Sequence, residues 1–358
     1  MLSVVVLAFS TVSLASAGPV GVSFQPYIGD WSGNPPSPPL FNSYTYADVL
    51  ADLQKVKEHF TTIKTYGIGT SYYSDKPGGT LDSNQYNVPA AAALGMKVHL
   101  GAALQFDGTV LNVDRTHLEI DRAIQQAKDH PGTVLSIIVG NETIGTNGVT
   151  VQNMVDFMNY AKTARNNAGF SAANLPITTA ERWGVLAGAE HKALSETAEG
   201  KIFANIYPFF DANTPIENAI TQFEADFSSL RNSLNGFGLS GLQIIVGETG
   251  WATAGTNTAN ALGIPSVANA QKYYNDYVAW AVAHNVETYY FAAFDEPWKA
   301  SPTTEPQSVE PHFGLRYSNG TPKFNLAGAG TAIPEANSLL LLAIAAGAVV
   351  TRRVTRRR

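Results

Sequence analysis

Thr133-Val-Leu-Ser-Ile-Ile-Val-Gly-Asn-Glu142 decides the fold of this chain, together with Leu242-Gln-Ile-Ile-Val-Gly-Glu248. Both runs are apolar and rich in β-branched residues, the pattern of strands buried on both faces of a parallel sheet. Each breaks at a glycine and reaches an acid within two residues. A carboxylate at the end of a buried strand is costly to place unless its partners or its chemistry require it there. Two such strand ends, far apart in sequence, predict opposite walls of one barrel mouth.

Outward from these runs, strand and helix patterns alternate. Six more strands are expected at Val20–Tyr27, Thr62–Gly67, Lys97–Leu104, Pro176–Ala180, Lys201–Tyr207 and Glu287–Phe294, making eight with Thr133–Gly140 and Leu242–Gly247. Helices are expected over Asp114–His130, Thr150–Ala168 and Ile216–Leu234. Another should follow Ser266 as N-cap, with Val267, Ala270, Tyr274, Tyr277, Val278 and Ala281 on one face. Strand–helix alternation implies parallel pairing through right-handed crossovers. Eight such units give an α/β fold, a (β/α)8 TIM barrel in a single domain spanning 18–330. An open doubly wound sheet is the runner-up, but Gly29-Asp-Trp-Ser-Gly33 is not a dinucleotide-binding turn. Asn34-Pro-Pro-Ser-Pro-Pro39 reads as a stiff loop at the barrel rim.

The 358 residues include no cysteine, which excludes disulfides and thiolate chemistry. The seven histidines show no paired metal-ligand spacing. His99, on an apolar strand, reads as a core histidine. Net charge is −6, yet residues 334–358 hold five of the Arg and one Glu. The remainder carries 18 basic and 28 acidic side chains, a net of −10. Such a body is repelled by nucleic acid and anionic lipid, and a neutral polymer is indifferent to it.

Both ends read as address labels. Residues 1–17 are apolar and close on Ala15-Ser-Ala17, a signal-peptide cleavage pattern. Residues 331–358 contain Pro334-Glu-Ala336, an apolar run Leu339–Val350 and a terminal Arg cluster. That run is short against the ~20 residues of a spanning helix. The layout resembles a PEP-CTERM sorting tail, which an exosortase-type enzyme processes near a Pro-Glu-Pro; Ala336 departs from that triplet. A secreted, surface-held or periplasmic protein of a Gram-negative bacterium follows as the expectation, acting as a monomer.

In a barrel, residues at strand C-termini face the site. Here these ends supply Tyr66, Asn141, Glu142, Tyr207, Glu248, Trp251, Asp295, Glu296, Trp298 and Lys299. Acids, an amide and aromatics suit sugars: rings stack on pyranose faces and polar groups bond hydroxyls. Paired acids at such a mouth can cleave glycosidic bonds, one protonating the leaving oxygen and the other ionised. Asn141 is placed to bond a sugar hydroxyl, and Tyr207 to donate to the ionised acid.

Val139-Gly-Asn-Glu142, Val246-Gly-Glu-Thr-Gly-Trp251 and Phe294-Asp-Glu-Pro-Trp-Lys299, with Ile63-Lys-Thr-Tyr66 and Glu310-Pro-His-Phe-Gly-Leu315, together resemble glycoside hydrolase family 17. That family comprises β-1,3-glucanases, with lichenases and β-1,3-glucanosyltransferases among its members, and the strand-eight motif is similar to its bacterial and fungal branch. The resemblance implies a retaining, double-displacement cleavage of a β-1,3-glucan with no metal or organic cofactor. It implies Glu142 as general acid/base and Glu248 as nucleophile. Glu296, Lys299 and Glu310 would bond one another and tune that pair. Transfer to a sugar acceptor instead of water is the alternative, with Trp251 or Trp298 as the acceptor platform. Lys64 departs from the Arg that many members carry.

Overall fold

The structure is a computed structural model, described for residues 20–27, 44–69, 83–300 and 308–326. The expected N-terminal label 1–17, the proline-rich loop 34–39 and the expected sorting tail 331–358 lie outside the described residues.

The eight expected strands form one closed parallel barrel. They are β1 (Val20–Ser23), β2 (Thr62–Lys64), β3 (Lys97–Ala102), β6 (Val134–Asn141), β7 (Ile177–Arg182), β8 (Lys201–Asn205), β9 (Gln243–Thr249) and β10 (Thr288–Tyr290), closed where β1 pairs both β2 and β10. A two-stranded ribbon, β4 (Phe106–Asp107) and β5 (Val110–Leu111), decorates the loop after β3. It escapes sequence reading because two residues a side carry no periodicity.

Local chemistry sets the outer helices. Helix α1 (Tyr46–Lys57) opens on a Thr45–Asp48 capping box. After α2 (Asn87–Ala93), α3 (Val113–Asp129) starts from Asn112, whose side chain accepts from Arg115 N. Thr150 and Asn153 box the start of α4 (Val151–Asn167). Short α5 (Trp183–Ala187) and α6 (Lys192–Thr197) follow β7. Then come α7 (Ala219–Gly236) and α8 (Val267–Ala283), the latter capped by Ser266 as expected. Its buried face holds Tyr273 and Trp280 besides the expected Ala270, Tyr274, Tyr277, Val278 and Ala281, while Val267 in its first turn is only half-buried, so the apolar stripe is wider than a single 3.6-residue reading gives and starts one turn later.

Most of the apolar core lies between barrel and helices, while Ile138, Ala180, Phe203, Ile245 and Tyr289 plug the barrel's interior. His99 belongs to that plug. Its Nδ1 meets Ser136 Oγ at 2.6 Å, its Nε2 meets Glu287 Oε1 at 2.8 Å, and its ring lies edge-on to Phe203 and Tyr289. Gly21 is required beside it, because a Cβ there would run into the Tyr289 ring. The filled interior forces chemistry to the mouth.

Candidate active site

At the C-terminal mouth a cavity of about 730 Å³ is lined by Tyr66, Asn141, Glu142, Asn205, Tyr207, Glu248, Lys299 and Glu310, among others. Both sequence-predicted acids open into this one space from the ends of β6 and β9.

Glu142 reaches it through an irregular strand end. The β6–β7 register shifts between Ile138 and Asn141. Gly140 (φ +69°) and Glu142 (φ +51°) are both left-handed. The first suits glycine, and a Cβ there would lie 2.8 Å from Met154 Cε. The second is unusual for an acid and marks a backbone bent to aim a side chain. Glu248 lies within β9, one residue beyond the expected strand end, where the ladders to β8 and β10 both shift register after Val246.

One hydrogen-bonded chain joins the two carboxyl groups. Lys64 Nζ, fully buried, donates to Glu248 Oε1 and to Asn141 Oδ1, each at 2.9 Å. Asn205 Nδ2 donates to Glu142 Oε1 at 2.8 Å and, more weakly, to Asn141 Oδ1 at 3.4 Å. The Tyr207 hydroxyl donates to Glu248 Oε2 at 2.9 Å. The buried Tyr66 hydroxyl faces Glu248 and Ser23 without a hydrogen bond of ordinary geometry to either, while Lys64 Nζ stands 4.2 Å from its ring centre.

These contacts drive the two acids apart. Burial raises the pKa of Glu142, and the charge of Glu248 raises it further, outweighing the Asn205 bond and Arg182. Burial would raise Glu248 as well, yet the Lys64 ammonium and the donated hydrogen bonds outweigh it, and its pKa is lowered. One carboxyl is poised to hold a proton and its neighbour to lose one.

The remaining expected residues divide. Lys299 Nζ is 2.8 Å from Glu296 Oε2 and 4.5 Å from the Phe291 ring centre. Burial raises Glu296 despite that ion pair. Glu310 does not join them: its side chain is exposed at the cavity rim and makes no hydrogen bond or ion pair among the described residues. Its charge still acts on Lys299 through space. Trp251 is a correction. It is 0% exposed, packs on Phe209 and Tyr273, and donates from Nε1 to the Ile264 carbonyl. The strand end that carries it turns it into the helix layer, so it offers no face to a sugar. Trp298 is half-buried edge-on to Tyr27 and does not line the cavity.

Sequence reading missed Lys64 and Asn205 as site residues, along with Arg182 and Trp183, which line the same wall. A signal existed for each. Lys64 is a cation in a strand that is otherwise buried. Asn205 lies inside an apolar strand. Arg182-Trp183 lies just past the expected end of strand five at Ala180, one of three strand ends from which no candidate was drawn.

Over 287 residues the chain is 26% identical to a glucan 1,3-beta-glucosidase of Saccharomyces cerevisiae, covering 78% of this chain and 85% of that protein. It is 25% identical over 282 residues to the glucan 1,3-beta-glucosidase BGL2 of Candida albicans, covering 77% and 84%. Its fold is similar to that of an endo-laminarinase from Formosa Hel1_33_131, with TM-score 0.66 at 19% identity, covering 93% of this chain and 96% of that one. It is also similar to a glycoside hydrolase family 17 beta-1,3-glucanosyltransferase from Rhizomucor miehei, with TM-score 0.63 at 20% identity, covering 86% and 97%. Residues 21–314, most of the chain and every strand of the barrel, match the BtgE/BtgC glycoside hydrolase domain, and the protein belongs to that family.

Proposed function

We propose that this protein is a retaining hydrolase of β-1,3-glucosidic bonds in a laminarin-like glucan. Glu248 attacks the anomeric carbon. Glu142 protonates the departing oxygen, then takes a proton from the water that releases the glycosyl-enzyme. The observation that carries this reading is the opposite displacement of two carboxyl groups sharing one cavity, Glu142 upwards and Glu248 downwards.

The neighbours fit these roles. Lys64 and Tyr207 keep Glu248 ionised and fix both of its oxygens. Asn141 spends its carbonyl oxygen on Lys64 and Asn205, which leaves the amide N–H groups for a sugar hydroxyl beside the nucleophile. Trp183, Phe210 and Phe291 give the cavity apolar faces, and a neutral glucan meets no repulsion from the acidic body. The substrate named for the yeast relatives agrees with this choice. Transfer to a second sugar remains the alternative, and partly exposed Trp183, not Trp251, is the aromatic face that would seat an acceptor.

The test uses laminari-oligosaccharides. Shorter products alone mean hydrolysis, and longer products mean transfer. Glu248→Ala should abolish both, and azide with an activated aryl β-glucoside should then give the α-glycosyl azide. Normal turnover by Glu248→Ala, or a β-azide from it, would remove Glu248 as nucleophile.

A further inference from the structure

Glu142 occupies a left-handed backbone conformation, φ +51°. For a side chain other than glycine this conformation is strained and persists only where the surroundings enforce it. Upstream, Glu142 N donates to the Ala180 carbonyl at 3.0 Å. Downstream, the N–H groups of Thr143 and Ile144 converge on a single atom, Oε1 of Glu181, at 2.6 and 2.8 Å. Thr143 Oγ1 lies 3.4 Å from the same oxygen.

Glu181 is an odd residue to find there. It is 0% exposed and does not line the cavity. Among the described residues no ammonium or guanidinium lies within ion-pair distance of it, and its Oε2 has no hydrogen-bond partner. Flanking Ala180 plugs the barrel and Arg182 lines the cavity, while Glu181 is turned instead beneath the loop that follows Glu142. A buried carboxylate with so few partners is expensive.

We propose that Glu181 is a positioning residue: its buried carboxylate grips the turn after Glu142, aims that side chain at the leaving oxygen, and places a negative charge behind it that favours the proton-bearing form. The proposal rests on Glu142 being the acid/base. The charge of Glu181 is one of the influences raising Glu142, after burial and Glu248. Glu181 itself is raised by burial, against the N–H groups of Ile144, Thr143 and Arg182.

The experiment compares Glu181→Ala, Glu181→Gln and Glu142→Gln on two substrates. One is a laminari-oligosaccharide, whose leaving hydroxyl needs a proton. The other is a 2,4-dinitrophenyl β-glucoside, whose phenolate leaves without one and is read as a pre-steady-state burst. Glu181→Ala should lose roughly 100-fold in kcat on the oligosaccharide, the usual scale for a misplaced catalytic group, with KM little changed and the phenolate burst retained. Glu181→Gln keeps an acceptor for the two N–H groups but not the charge. It should retain most of kcat, and the alkaline limb of kcat/KM should move to lower pH, because the acid now loses its proton sooner.

A parallel loss on both substrates by folded Glu181→Ala would overturn the positioning role. If Glu181→Ala does not fold, an alkaline limb of Glu181→Gln that coincides with wild type would overturn it. Glu142→Gln separates the two levels of the argument. Oligosaccharide turnover preserved in Glu142→Gln defeats the acid/base assignment itself. Turnover lost there but untouched in both Glu181 variants defeats only the role of Glu181.

Discussion

Replacing Lys64 with methionine removes one charge from the centre of the site while keeping most of the side-chain volume. Lys64 Nζ lies 2.9 Å from Glu248 Oε1, with the two side chains 0% and 8% exposed. At that separation an effective dielectric of about 20 gives an attraction on the order of 6 kcal/mol. Removing one partner of a buried pair typically costs about 3–5 kcal/mol, because the other is left as an uncompensated buried charge. The Tyr207 hydroxyl still donates to Oε2 in the variant, so the lower end applies. About 3 kcal/mol withdrawn from the carboxylate form raises the Glu248 pKa by roughly two units, at about 1.36 kcal/mol per unit. The sign follows from the role. Glu248 is held low in the wild type and must be ionised to attack, so activity is lost as pH falls through its pKa. In Lys64→Met the acid limb of kcat/KM should therefore move up by about two pH units. At a pH below the new limb the rate should fall roughly 100-fold, and alkali should restore part of it. The assay is a pH–rate profile on laminari-oligosaccharides, with thermal denaturation at each pH to show that the variant is folded. A folded variant whose acid limb coincides with wild type would refute the claim that Lys64 ionises Glu248.

Tyr207→Phe removes the second donor to Glu248; hydrogen bonds to charged groups are worth about 1.5–3 kcal/mol, so kcat/KM should fall roughly 10- to 100-fold with little change in Tm. Trp183→Ala should raise KM for longer oligosaccharides and leave Tm nearly unchanged. Trp251→Ala should do the reverse, costing about 3–5 kcal/mol of stability as a fully buried aromatic truncation; equal effects on KM would contradict the placement of the two rings. Asp226, pushed up to about 7 by burial and by Asp211 beside it, prefers its protonated form in the folded chain. A carboxyl whose folded pKa is raised contributes stability at low pH and loses it as pH climbs through that pKa. Asp226→Asn should thus raise Tm at pH ~8 and change it little at pH ~3, below the carboxyl's unfolded pKa of about 3.9; calorimetry showing the same shift at both would refute this.

The barrel was legible because its strands are buried on both faces and read as apolar runs that no helix face imitates. The runs ending in Glu142 and Glu248 gave the two walls of the mouth, and Ser266 gave the start of a helix through its cap. What stayed hidden has one physical origin: strand alternation says which residues flank one another, but not which way an irregular strand end turns. Glu248 lies at the end of β9 and Trp251 two residues past it, yet only Glu248 enters the cavity. Glu181 and Arg182 are neighbours in β7, and one grips a turn from behind while the other lines the cleft. Lys64 shows the same limit from the side of energetics. In sequence it is a cation substituted for another cation. In the fold its ammonium touches Asn141 and Glu248 at once and is buried completely. A buried charge is tolerable only with partners of opposite sign or strong acceptors. The lysine on β2 therefore implies the carboxylate on β9, and each residue makes the other's position affordable. Such reciprocal pairs join segments distant along the chain, and only the closure of the barrel brings them to the same 2.9 Å.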